Sequence, residues 1–424
     1  MPHQVALTIV AHIRAGEAGN LDRLLRTMGD GVANNSTVDF ASLEGVHFAR
    51  FVLVDETTDL QGNPLRPLLI YMADLDLAAD RHLGDLVDEG GTGIDELFGL
   101  CDEYPGPGER TRERRLAYLK EHRVKEAAFY VNTAGRTREQ IRQESKLRDD
   151  LETFLDSKDD LRSGRPEDVR LALQEHVAAD DSLRWVRKPP PKLELGFRVR
   201  ELVHMVAVPS LVLLISPLLL LAAPIFLIVL RLHERSDHSP HLKPPAELVQ
   251  ELATLEDHLV HNPFTAIGMV KPGLFRKFTL RGVLFGIDYA TRHVFNRGNL
   301  AGVKTIHFAR WVFLDDNRRV IFASNYDGSL ESYMDDFIDK IAIGLNIVFS
   351  NGFGYPRTRW LIKGGARDEL AFKDYLRLHQ VPTRVWFSAY GRLTNLNIAT
   401  DEQIRAGLFG RPPGGSVQRW VETL

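Results

Sequence analysis

The sequence predicts an α+β protein made of two diverged copies of one βαββαβ module, with a hydrophobic, membrane-inserting helical segment between them. Three observations carry the prediction. An internal repeat runs in order through both halves, the strand and helix patterns follow the same succession in each, and an apolar run near the middle of the chain has the length that enters a bilayer core.

The repeat begins with Leu7-Thr8-Ile9-Val10, which aligns with Phe264-Thr265-Ala266-Ile267; both read as a strand ending in a turn. His47-Phe48-Ala49-Arg50 aligns with His307-Phe308-Ala309-Arg310 as an identical tetrapeptide. The strand and helix over 71–88 match 322–339 without a gap, bringing Asp76 over Asp327 and Asp85 over Asp336. Tyr118, Leu119, His122 and Val124, ahead of one last strand, match Tyr375, Leu376, His379 and Val381 ahead of the other. Each half therefore reads strand, helix, strand, strand, helix, strand, the order of the split βαβ or ferredoxin-like module. The HFAR strands carry apolar residues on both alternating faces, so their sheets need covering on both sides. Helices cover one side, and the sheet of the sister module is the simplest cover for the other, which gives a pseudo-two-fold pair, a pseudo-dimeric α+β barrel.

This divides the chain into a first module over 1–140, a charged helical linker over 141–200, the hydrophobic segment over 201–235, a linker helix over 236–261 and a second module over 262–424. The linker is dense in Arg, Asp and Glu with spaced leucines (Leu151, Leu155, Leu161, Leu171, Leu173), which predicts solvated helices, and Pro189-Pro190-Pro191 makes a stiff spacer after it. In the hydrophobic segment, Pro209, Pro217 and Pro224 each remove a backbone donor. Arg187, Lys188, Lys192, Arg198 and Arg200 precede it and Arg231 and Arg235 follow, so the flanking charge marks neither side. A crossing helix and a broken hairpin that dips into one leaflet both fit, as does a buried core helix. Packing of the two halves together favours the hairpin, because a single crossing would part them. The basic, Phe-rich pattern of 274–297 fits either an interfacial membrane helix or the helix that the module requires in any case.

A formal charge of −4 with both signs interspersed argues against a nucleic-acid partner. The single cysteine, Cys101, excludes an internal disulfide and a cysteine-cluster metal site. No cleaved signal is visible at the start of the sequence. There is no GxSxG elbow, no Walker loop and no HExxH frame, and no metal site is assigned; Asp257, His258 and His261 are the nearest approach to one.

Over about 5–140 and 262–395 the chain resembles the dimeric α+β-barrel superfamily, and within it the fused two-module arrangement of dye-decolourising peroxidases. It is also similar to a group of bacterial membrane-associated proteins with HFARW and NYDGSLESY-type stretches. The stretch Ser324-Asn325-Tyr326-Asp327-Gly328 resembles the GxxDG motif of those peroxidases, with Ser324 in place of the first Gly. The resemblance implies oxidoreductase chemistry with haem and peroxide, Asp327 as acid/base, Arg310 as charge stabiliser, Asn325 beside them, and His307 or His379 as the axial ligand. Read from the residues alone, Asp327 caps the following helix, His307 and Arg310 lie on opposite faces of a strand unless a bulge intervenes, and Arg310 pairs with Asp315 or Asp327. Arg357 and Arg359, beside the glycine turn Lys363-Gly364-Gly365, form a candidate anion- or cofactor-binding turn.

The expectation is a membrane-associated protein at the cytoplasmic face of a bacterial inner membrane. It would meet membrane lipid, bind a hydrophobic or lipid-like small molecule and form a homo-oligomer. The alternative is a non-catalytic binding or scaffold protein.

Overall fold

The computed structural model describes residues 3–32, 35–162, 164–189, 193–237 and 239–424, and it is a mixed α+β fold with antiparallel sheets and one long apolar helix. Pro190 and Pro191 of the proline spacer lie outside the described residues. The eight main strands are β1 (Val5–His12), β2 (Val46–Val54), β3 (Leu68–Leu75), β4 (Glu126–Val131), β5 (His261–Met269), β6 (Ile306–Leu314), β7 (Arg319–Asp327) and β8 (Thr383–Ser388). They form two four-stranded sheets, ordered β1–β3–β2–β8 and β4–β6–β7–β5.

The last strand of each half thus joins the sheet of the other half. It does so by leaning over: Val10 N donates to His122 O at 3.0 Å and Val124 N to Thr8 O at 2.9 Å, so the chain first closes the outer edge of β1. It then crosses and pairs with β6 from Glu126, with a register shift between Glu126 and Ala128. The second half repeats this, with Val381 N on Thr265 O at 2.9 Å and a register shift between Thr383 and Val385 as β8 joins β2. The bulges supply the bend, and the crossing satisfies an edge that β1 and β5 would otherwise leave open.

Strand alternation then sorts the side chains. Ala49, Phe51 and Leu53 enter the core under helices α1 (Ala18–Asp30) and α2 (Ala79–Phe98), and Ala309, Trp311 and Phe313 enter the core of the second half. The opposite faces meet between the sheets in layers. Val52, Val54, Ile70, Val312, Leu314 and Ile321 fill an apolar layer, Arg50 and Arg310 a polar one, and Phe48 and Phe308 an aromatic one. The charged linker is less solvated than its composition predicts. Leu147, Leu151 and Leu155 of α3 (Arg138–Asp156) and Val169, Leu173 and Val177 of α4 (Pro166–Ala179) are buried against Ile404, Leu408 and Trp420. Its apolar residues recur at helical spacing, and the C-terminal segment supplies a partner that composition alone does not reveal.

The hydrophobic segment is one unbroken helix, α5 (Leu195–Ser236), 42 residues long with all three prolines inside it. The broken hairpin is not formed, and two of the carbonyls that the prolines release find side-chain donors. Met205 O, four residues before Pro209, accepts from Tyr289 OH at 2.9 Å, and Leu213 O, four before Pro217, accepts from Ser216 Oγ at 2.7 Å. Its most apolar window is wholly exposed, with Leu214 and Leu221 each 76% accessible. Near its start, His204 Nδ1 lies 2.8 Å from His293 Nε2 of α6 (Leu274–His293), and near its end His233 stacks on Phe275 of α6 with centroids 4.9 Å apart. Both ends of the exposed helix therefore rest on the same part of the molecule.

One core contact sets a pH dependence. His82 of α2 lies 2.8 Å from Tyr71 OH, and burial lowers its pKa from 6.5 to about 4. Between these values the unfolded chain binds a proton that the folded chain refuses. The contribution is complete above pH 6.5 and is lost as pH falls towards 4, about 3 kcal/mol over the full interval. Denaturation midpoints of His82→Phe should fall less over that range than those of the parent, whereas parallel curves would exclude His82 as the source.

Candidate functional site

The repeated HFAR strands build a site at one end of the space between the sheets. In both copies the histidine sits at a bulge: β2 shifts register against β3 between Val46 and Phe48, and β6 against β7 between Ile306 and Phe308. The extra residue turns His47 and His307 to the same side as Arg50 and Arg310, in place of the opposite faces that strict alternation predicts. Strand periodicity carries no mark of a bulge, so only the pairing discloses it.

The two arginines cross between the halves instead of pairing with Asp315 or Asp327. Arg310 donates to Leu7 O at 2.7 Å, Thr8 Oγ1 at 3.2 Å, Ala73 O at 2.8 Å and the Asp74 carboxylate. Arg50 makes the mirror set with Phe264 O and Thr265 Oγ1 at 2.9 Å, Ser324 O at 2.8 Å and Asn325 Oδ1. Asn325 also donates to Asp74 Oδ2 at 2.8 Å and accepts from Trp386 Nε1 at 3.0 Å. Burial draws the Arg50 guanidinium down to about 9, which leaves it charged at neutral pH. Arg310 and Asn325 are thus committed to holding the sheets together. Asp315 pairs with Arg319 at 2.5 Å.

One layer outward lie the histidines. His307 Nε2 is 2.6 Å from Asp327 Oδ1, and Asp327 Oδ2 accepts from Asn395 N at 2.8 Å. Asp327 therefore adds an acceptor at the start of α7 (Asn395–Phe409), whose own N-cap is Thr394, far along the chain, while Ser329 caps the helix that follows Asp327. Asp76 plays the same part in the first half, accepting from Arg138 N at 2.7 Å at the start of α3. His47 Nδ1 meets the Tyr390 hydroxyl, and its Nε2 lies 3.5 Å from Asp76.

His261 completes the second copy. Its Nε2 is 2.6 Å from Leu393 O and 3.6 Å from Asp327 Oδ1, and its Nδ1 is 3.1 Å from Ser388 Oγ. Gln4 occupies the matching place in the first copy and donates to Arg136 O at 2.6 Å. Burial, then the neighbouring His307, lowers His261 to about 4, so its ring is neutral near pH 7. His261, His307 and Asp327 are one of two groups among the described residues able to hold a metal ion; Glu201, His204 and His293 at the root of α5 are the other. Beside the first group a cavity of about 30 Å3 is lined by His47, His307, Asn132, Arg136, Tyr390 and Asn395. His47 Nε2 and Asn395 Nδ2 are buried there without hydrogen-bond partners.

The remaining predicted residues lie elsewhere. His379 lines a separate apolar cavity of about 30 Å3 with Gly268, Leu280, Trp311, Phe322 and Tyr375. Ligand pockets of even modest size occupy about 300 Å3, so neither histidine has beside it the room that a haem demands, and haem does not fit these residues. Arg357 and Arg359 precede a turn at Trp360-Leu361, ahead of the predicted glycine turn, whose anion is internal. Glu234 of α5 accepts from Trp360 N and Leu361 N at 2.9 Å and from Thr358 Oγ1 at 2.8 Å. Trp360 and Leu361 hold positive φ values of 58° and 57°, which aims both N–H groups at that carboxylate.

Sequence reasoning singled out His307, Asp327, Arg310 and Asn325 but missed Tyr390, Asp74 and the arrival of His261. Asp74 and Asn325 occupy matching positions of the repeat, and this could have marked their shared role. Compared with family models, with curated proteins and with solved structures, the chain finds no match in any of the three.

Proposed function

We propose that this is a monotopic membrane protein, anchored in one leaflet by Leu195–Ser236, that takes up a hydrophobic or lipid-like small molecule from the bilayer. The observation that carries the reading is strand exchange: β2 and β4 precede the apolar helix, β6 and β8 follow it, and each sheet contains both kinds. A full crossing would put these partners on opposite sides of the membrane and break both sheets. Exposed Leu274, Phe278 and Phe285 on α6, with Trp360 and Ile362 near the end of α5, extend the apolar surface and suit an interfacial position. On this reading the eight strands are two ferredoxin-like modules in a pseudo-dimeric α+β barrel with exchanged last strands.

The test is sidedness. Cys101 is buried and burial raises its thiol to about 12, so the parent protein gives a quiet background to thiol reagents. Asp181→Cys before the helix and Lys243→Cys after it should react together with an impermeant maleimide, or be protected together, in sealed vesicles. Labelling of one and protection of the other would overturn the one-leaflet anchor. The scaffold reading draws on a different observation, the mutual satisfaction of Arg50 and Arg310 by the opposite half. It makes knitting the halves together the whole task of those residues.

A further inference from the structure

We propose that His261, His307 and Asp327 bind a first-row divalent transition-metal ion, and that this site exists only in the second copy of the repeat. The proposal stands apart from membrane attachment, since it uses no residue of the apolar helix.

The donor set is two imidazoles and one carboxylate, whose ligand atoms lie within 4.8 Å of one another and whose residues are all buried. Two nitrogens and one carboxylate oxygen suit a first-row transition ion better than the all-oxygen shells of magnesium or calcium. Both Nε2 atoms approach the same oxygen, Asp327 Oδ1, at 2.6 Å from His307 and 3.6 Å from His261. To ligate through Nε2, each ring carries its proton on Nδ1. For His261 an acceptor is in place there, Ser388 Oγ at 3.1 Å, which is the outer-shell contact that fixes the tautomer of a metal-bound histidine. Asp327 is held through its other oxygen by Asn395 N at 2.8 Å, which leaves Oδ1 to face the rings. In the metal-free protein His261 Nε2 donates to Leu393 O at 2.6 Å; metal binding replaces this hydrogen bond and leaves the ring proton on Nδ1.

A second observation points to a ligand at this place. The adjoining cavity of about 30 Å3 is lined by His307, His47 and Asn395, and two buried polar atoms of these residues, His47 Nε2 and Asn395 Nδ2, have no hydrogen-bond partner, the Asp76 carboxylate standing off from His47 Nε2 at 3.5 Å. Three protein ligands beside a small polar space is the pattern of a metal with an open position for water or substrate. His47 and Asn395 would hydrogen-bond what occupies that position.

The duplication supplies an internal control. In the first copy the corresponding residues are Gln4, His47 and Asp76, and Gln4 is satisfied by Arg136 O at 2.6 Å, by Thr133 O at 3.3 Å and by the N–H of Gly135 at 2.7 Å. One imidazole is missing there and the set is incomplete. The group Glu201, His204 and His293 is weaker, because none of its three members is fully buried, whereas all three of the first group are.

The experiment uses the full chain in detergent, stripped with chelator and then titrated with Zn2+ and, separately, Co2+. The expected result is one ion retained per chain after desalting, with Co2+ giving visible absorption bands of a low-symmetry nitrogen/oxygen site. His261→Gln copies the residue that the first copy uses at this position, so it keeps a hydrogen-bonding side chain where the fold needs one. It should weaken binding about 100-fold or more, with the thermal midpoint in chelator unchanged. His204→Gln should leave binding intact. Retention of less than a tenth of an ion per chain, or equal retention by the parent and His261→Gln, would overturn the proposal and leave the three residues as a hydrogen-bonded network only. Loss on His204→Gln with His261→Gln unaffected would overturn it in favour of the group at the root of the helix. None of these readouts depends on membrane attachment, so a failure here and a failure of the one-leaflet anchor are told apart.

Discussion

Arg310→Ala is expected to cost about 3–5 kcal/mol of stability, because it leaves the buried carboxylate of Asp74 without its cation and two strand carbonyls without donors. Arg50→Ala removes the mirror-image side chain but strands only the neutral Asn325 and the carbonyls of Phe264 and Ser324, so about 2–3 kcal/mol is expected. The inequality follows from one difference between the copies, Asp74 against Asn325. Joining Arg310→Met to Asp74→Leu removes the charge and its partner together and should recover much of the single-mutant loss. Urea midpoints of the four proteins in detergent decide the matter. Equal losses from the two arginines, or no recovery in the double variant, would refute the account of the inter-sheet layer as a charge-balanced clasp.

The second large effect lies on the exposed helix. Leu214→Lys with Leu221→Lys places two cations on a surface that is otherwise apolar, at two of its most accessible positions. A lysine at the centre of a membrane helix costs about 2.5–3.5 kcal/mol, so the pair should shift partition from membrane to water by about 5 kcal/mol, more than a thousandfold. Flotation of the full chain with liposomes reads this directly. Leu171→Lys is the control, since Leu171 is also exposed, at 56%, but lies on α4 away from the apolar helix. If the double variant floats as the parent does, the helix is covered by protein in solution, and a second copy of the chain becomes its natural occupant.

Much of this architecture is legible in the sequence because it is written locally. Alternation on the HFAR strands tells that Ala49 and Ala309 face helices while Arg50 and Arg310 face the other way, and the order of elements follows from the repeat. The apolar run announces its length and composition, while its exposure is seen only in the fold. The two-glycine turn after Arg357 and Arg359 reads as an anion site, but the anion, Glu234, sits just before it on the N–H groups of Trp360 and Leu361, while Gly365 N is taken by Arg357 O.

What tertiary structure alone decided is the choice among partners of equal local merit. The edges of β1, β2, β5 and β6 carry the same backbone donors and acceptors, and nothing within β4 or β8 says which edge to take; only closure of both sheets at once selects the exchange. The bulges at His47 and His307 exist only relative to a neighbouring strand. His261 faces Asp327 directly across the β5–β7 pairing, Ser388, Tyr390 and Leu393 join them because β8 crosses over, and His261 so becomes part of a buried donor set. The sequence by itself determined the internal repeat and the order of its strands and helices. The three-dimensional pairing determined which of those residues meet, because pairing is a property of edges and registers shared between distant segments, and no local pattern records it.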